Sequence, residues 1–128
     1  MRQVLLFLAA AAVILSACAP SSVTPTPIPI VESFFSARAF VDANSNGRLD
    51  DSDPPLKDAI FIVRMQSVEF GDLTDASGNA FVTVPGPTEY PVAVTMRPPQ
   101  NSTYELVGPA TVELTKPGDK ADFLFRSK

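Results

Sequence analysis

Six side chains recur at fixed intervals in one short stretch of this chain. Asp42, Asn44, Asn46, Asp50 and Asp53 stand at positions 1, 3, 5, 9 and 12 of a twelve-residue window, and Arg48 stands at position 7. Gly47 is at position 6. That is the spacing of a loop that wraps a calcium ion: a hard cation takes six to eight oxygens, and alternate side chains of a tight turn all point inward. Arg48 serves there through its backbone carbonyl, with its guanidinium turned to water. Gly47 permits the left-handed backbone of the sharp turn. Asp53 closes the loop one methylene short of the Glu that a helical hand uses, so bidentate closure is less secure. The competing reading is an Asx-rich turn without metal. Against it, five oxygen side chains at these intervals exceed what turn-making requires. The four carboxylates Asp42, Asp50, Asp51 and Asp53, offset only by Arg48, also repel one another without a cation.

The flanks exclude a helix-loop-helix hand. Ser33–Val41 before the loop is β-like, Pro54-Pro55 after it cannot begin a helix cleanly, and Ala59–Met65 reads as a further strand. The loop is therefore expected to join two strands and pin a sheet corner. Further along, turn residues recur every eight to twelve positions. They delimit a short strand at Val68–Phe70, strands at Asn79–Val84, Tyr90–Met96, Tyr104–Val107 and Ala110–Thr115, and a last strand at Lys120–Phe125. Alternation puts Ala59, Phe61, Val63 and Met65 on one face, and likewise Tyr90, Val92, Val94 and Met96, and Ala121, Phe123 and Phe125. Pro91 cannot donate a ladder bond, which places the start of its strand at an edge or pairs it on one side only. Seven or eight strands and no amphipathic helix predict an all-β fold, a Greek-key β-sandwich. Phe40, Ile60, Ile62 and Phe81 then fall on the opposite faces of their strands, either covered by neighbours or forming a partner surface.

The first residues belong to targeting. Met1-Arg2-Gln3 is a short positive region, and Val4–Ile14 is apolar but too short for a typical transmembrane span. Leu15-Ser16-Ala17-Cys18 is similar to the lipobox of bacterial lipoproteins, and Cys18 is the only cysteine in the chain. The resemblance implies cleavage after Ala17, acylation of Cys18, and a lipid-anchored, extracytoplasmic location at the cell membrane or cell surface. The alternative is an ordinary secretory signal cut near Ala17 or Ala19. Residues 18–31 then form a tether with four prolines between Ala19 and Ile30, extended in polyproline II at about 3.1 Å per residue. The folded domain is expected over 32–128.

Composition removes several function classes. The 128 residues have a net charge of −4, which argues against a nucleic-acid partner. Without histidine there is no Ser-His-Asp or Cys-His centre and no His-ligated zinc, and no enzyme activity is expected. A sugar-binding module usually stacks on Trp or Tyr, and here there are two Tyr and no Trp.

The order Ala37-x-Ala39-Phe40-x-Asp42-x-Asn44-x-Asn46-Gly47-x-x-Asp50, then Asp53-Pro54-x-Leu56, then Thr74-Asp75-x-x-Gly78, resembles the SdrD B-like repeat, a calcium-binding relative of the collagen-adhesin B-type domains. The likeness covers about Ala37 to Met96. It implies a transthyretin-like, immunoglobulin-like sandwich used as a structural or adhesive module at bacterial surfaces, with Ca2+ held by Asp42, Asn44, Asn46, the Arg48 carbonyl, Asp50 and Asp53. The chain departs from the family where Ala37 and Asp58 replace glycines and where Ala80 and Val82 replace aromatics. It also carries one copy rather than a tandem, with its anchor at the other end, so a long mechanical stalk is not implied. The Lys–Asn isopeptide bond of some related domains has no Lys in Ser33–Val41 and no Asn in Lys120–Arg126. An alternative function is a carbohydrate- or peptide-binding module of an extracytoplasmic uptake or degradation system, so a protein or glycan partner is expected alongside the membrane.

Overall fold

The computed structural model describes residues 23–128; the signal segment and Cys18 lie outside the described residues. Eight strands follow in order: β1 (Glu32–Val41), β2 (Ile60–Met65), β3 (Val68–Leu73), β4 (Asn79–Pro85), β5 (Val92–Arg97), β6 (Tyr104–Val107), β7 (Thr111–Leu114) and β8 (Lys120–Ser127). No helix occurs among the described residues. The strands form two four-stranded sheets, in the orders β4-β1-β8-β6 and β3-β2-β5-β7. All neighbours are antiparallel except β1 and β8, which run parallel. The chain is thus an all-β protein of two packed sheets.

Alternation builds the core. Phe35, Ala37 and Ala39 of β1 point inward with Ala121, Phe123 and Phe125 of β8, and face Phe61, Val63, Val92, Val94 and Met96 of the other sheet. Small alanines on β1 and β8 sit against large rings, the interdigitation that close packing requires. Phe61, Val63 and Phe125 are fully buried. The inward faces expected for β2, β5 and β8 are the observed ones.

Some boundaries differ from the expectation. β3 continues through Gly71 to Leu73, because its partner β2 offers a ladder as far as Ile60↔Leu73. β5 begins only at Val92, after Pro91, which has no N–H to give. On the outer faces, Ile62 is only 6% exposed and Leu124 only 8%. Leu124 lies between Phe40 and Val107 in the register, so neighbouring strands cover it.

β1 fixes the layout. Its first residue follows the tether, and its last, Val41, opens the Asp42–Asp53 loop. Ten residues of strand separate those ends by about 33 Å. The proline-rich residues 23–31 carry no secondary structure and are exposed. Only their end is held, by the Gly86 N–H donating to the Val31 carbonyl at 2.7 Å.

Candidate metal loop

The loop begins and ends on the same strand. The Val41 N–H donates to the Pro54 carbonyl at 2.8 Å, and the Leu56 N–H donates to the Ala39 carbonyl at 2.9 Å. Pro55 bridges Phe40. β4 pairs with β1 only up to Arg38, so Pro54–Leu56 takes its place along the rest of β1. On the other side, the Asp42 N–H donates to the Phe125 carbonyl of β8 at 2.7 Å. The loop is a closed excursion whose two stems are sheet backbone.

Within it the expected ligands separate into two groups. Asp42 and Asp53 are buried. Asp42 accepts the Asn46 N–H at 3.1 Å and the Gly47 N–H at 2.9 Å, one on each carboxylate oxygen. Asp53 accepts the Ala43 N–H at 3.2 Å and the Asp50 N–H at 2.9 Å. These two acids tie the loop's beginning to its end. Asn44, Asn46 and Arg48 are exposed, and Asp50 is half-buried. Asp50 Oδ2 accepts both the Asn44 amide at 2.8 Å and the Asn46 amide at 2.9 Å, while Oδ1 accepts from the Ser52 hydroxyl and N–H. The Ser52 hydroxyl, then Asn44, the Ser52 N–H and Asn46 hold the Asp50 carboxyl down to about 2. Gly47 adopts φ +72 with open space around its missing Cβ, so the turn needs glycine for backbone conformation and not for clearance. Ser45 shares the left-handed region at φ +57.

The structure therefore brings all six residues into one loop, but in a hydrogen-bonded arrangement. No group of three or more acidic, cysteine or histidine side chains is gathered closely enough to hold a metal among the described residues. The donor set nonetheless suits calcium: three carboxylates, two amide oxygens and one carbonyl, all hard oxygen. To serve an ion, the Asn44 and Asn46 amides must rotate, since their nitrogens now face Asp50. No ion pair reaches Asp42, Asp50, Asp51 or Asp53 among the described residues; the five salt bridges lie elsewhere.

Two residues outside the loop anchor its return. Thr74, 2% exposed, donates from Oγ1 to the Leu56 carbonyl at 2.6 Å and accepts the Ala59 N–H at 2.9 Å. Gly78 accepts the Ala39 N–H at 2.8 Å, and a Cβ there would lie 2.4 Å from the Ala39 oxygen. Their places in the sequence are visible in the Thr74-Asp75-x-x-Gly78 order, but their contacts with the loop stem are not. Asp58, in the same stem, has φ +61, a conformation that glycine adopts freely.

No family model and no curated protein matches the chain.

Proposed function

We propose that the chain is a membrane-anchored surface lipoprotein, held by acylated Cys18, whose β-sandwich is a structural or adhesive module stiffened by calcium at the Asp42–Asp53 loop. The observation that carries the reading is the loop's charge: three ligand carboxylates, two of them buried, stand in one closed turn without a cationic partner among the described residues. Calcium binding there would replace hydrogen bonds within the loop by oxygen–metal contacts. The loop's stems are held on β1 and β8 of one sheet, so an ion acts on the end of that sheet and not on the core. The tether enters at the end of β1 opposite the loop.

Thermal unfolding of the protein in excess chelator and then in calcium tests this. For the affinity typical of extracellular modules, a Kd of about 0.1–1 mM, calcium at about 1 mM adds about 0.4–1.4 kcal/mol to the folded state. At about 4–8 °C per kcal/mol for a domain of this size, the midpoint rises by several degrees. The Asp42→Ala, Asp50→Ala double variant abolishes the rise. Two folded samples with identical midpoints would reduce the loop to an Asx turn.

A further inference from the structure

Asn46 and Gly47 form the only Asn-Gly pair in the chain; Asn44 and Asn101 precede serine, and Asn79 precedes alanine. The backbone nitrogen that follows an asparagine can close a succinimide ring on the side-chain Cγ. The closure is least hindered when that nitrogen belongs to glycine, which has no Cβ to crowd the approach. Residues 43–49 are exposed, and the space where a Gly47 Cβ would stand is open. Water therefore reaches the pair.

The loop's hydrogen bonds put a partner on each atom that such a closure changes. The nucleophile is the Gly47 nitrogen, whose N–H donates to Asp42 Oδ2 at 2.9 Å. A general base works within about 2.6–3.2 Å of the proton's heavy atom, so Asp42 is in reach. The electrophile is Asn46 Cγ. Its Oδ1 accepts the Arg48 N–H at 2.7 Å, so a backbone donor already stands where negative charge develops as the ring closes. The nitrogen that leaves, Asn46 Nδ2, donates to Asp50 Oδ2 at 2.9 Å. Asn44 has a matching donor on Oδ1, the Asn46 N–H at 3.0 Å. It lacks the other half: nothing accepts the Ser45 N–H among the described residues.

We propose that the loop, hydrogen-bonded in this way, deamidates itself at Asn46. Asp42 draws off the Gly47 proton as the bond from the Gly47 nitrogen to Asn46 Cγ forms. The bond from Cγ to Nδ2 then breaks, and that nitrogen leaves as ammonia, carrying the proton. Water opens the succinimide at either carbonyl and leaves aspartate or isoaspartate at position 46. Either product sets a carboxylate against Asp50, where an amide now donates. Bound calcium slows the reaction, because Asp42 and Asn46 Oδ1 become ligands and are withdrawn from it; this effect rests on the metal reading of the loop.

The full chain is incubated at neutral pH in excess chelator, folded in buffer and unfolded in guanidinium chloride. Tandem mass spectrometry follows Asn46 and Asn44 separately, and an isoaspartyl methyltransferase assay reads the isomer. The expected result is conversion at Asn46 at least as fast in the folded chain as in the unfolded one, and severalfold faster than at Asn44. Asp42→Asn keeps the shape, loses the charge and should slow the conversion severalfold. Slower conversion in the folded chain than in the unfolded one overturns the proposal, because the hydrogen bonds would then restrain Asn46 and not activate it. Unchanged or faster conversion in Asp42→Asn overturns it too, and if that variant does not fold, the comparison with the unfolded chain decides alone. Calcium should slow conversion in the folded chain severalfold. A midpoint rise in calcium without slowing refutes the protection. No rise refutes the metal reading, while the rates in chelator still decide the cyclisation.

Discussion

Replacing Thr74 by valine isolates the bond that closes the loop onto the second sheet. Valine matches threonine in shape but removes the hydroxyl, which both donates to Leu56 and accepts from Ala59 in a buried site. Each backbone group left unpaired there costs about 1–3 kcal/mol. The methyl that replaces the hydroxyl returns under about 1 kcal/mol. The net loss is about 3 kcal/mol, a large fraction of the 5–15 kcal/mol typical of a whole domain, and corresponds to a midpoint about 10–25 °C lower. Thr74→Ser is the control: it keeps both hydrogen bonds and loses one buried methyl, at about 1 kcal/mol. Thermal and urea unfolding of the two variants, with the m-value checked for two-state behaviour, gives the comparison. A valine variant as stable as the serine variant would show that the hydroxyl contributes nothing net, and the assignment of Thr74 as the tie between loop stem and sheet would fall.

Other expectations can be checked in the same assay. Gly78→Ala must bring a Cβ to 2.4 Å from the Ala39 oxygen and 3.0 Å from the Pro55 Cβ at φ +76, so it should destabilise more than Gly47→Ala. At φ +72 with no neighbour within 4 Å, the latter meets only the left-handed penalty of about 1–2 kcal/mol; equal losses would refute the close approach at Gly78. Thr88→Val should be neutral or slightly stabilising, because the hydroxyl it removes has no partner among the described residues, and a loss of more than about 1 kcal/mol would contradict that. Acid unfolding should follow the surface carboxylates that the fold holds below their usual range: Glu105 by hydrogen bonding to Arg126, Asp119 by the Thr115 N–H and hydroxyl, and Glu69 by hydrogen bonding to Arg64. Depressed folded values mean that their contribution is complete above the unfolded carboxylate range of about 4 and is lost as pH falls through the folded values. A pH titration of the midpoint should be flat above about pH 5 and fall below it; stability rising on acidification would reverse the sign.

Much of the sandwich is legible because alternation survives wherever one face is buried. The inward sets on β2, β5 and β8 follow from parity alone. Parity fails for Ile62 and Leu124, which are buried on outer faces: flanking strands also bury side chains, and pairing partners such as Phe40 and Val107 are long-range facts that no local pattern holds. Phe34 illustrates the opposite limit. It sits in a run, Phe34-Phe35, where one ring is 2% exposed and the other 68%. Hydrophobicity cannot assign the two, and only the register of β1 does. In the loop, residue types and spacing reveal which residues share one closed turn. They do not reveal that the asparagine amides point at Asp50, since the same residues satisfy either a turn or an ion.

That ambiguity has a physical origin in the way the loop is closed. Backbone bonds at Val41, Leu56 and Asp42, with the Thr74 hydroxyl, hold the stems in place. The stems thus bring Asp42 and Asp53 together by themselves, and the buried carboxylates must then find donors. Their donors are the loop's own N–H groups, and each of the two acids takes two of them. A preformed stem lowers the ordering cost of binding an ion but leaves loop hydrogen bonds to be exchanged for metal contacts. Such a loop should bind calcium with modest affinity and fold without it. The chelator-treated protein should therefore retain the β-sheet circular dichroism of the calcium-loaded one and differ only in midpoint; loss of the sheet signal in chelator would mean that the stems depend on the ion.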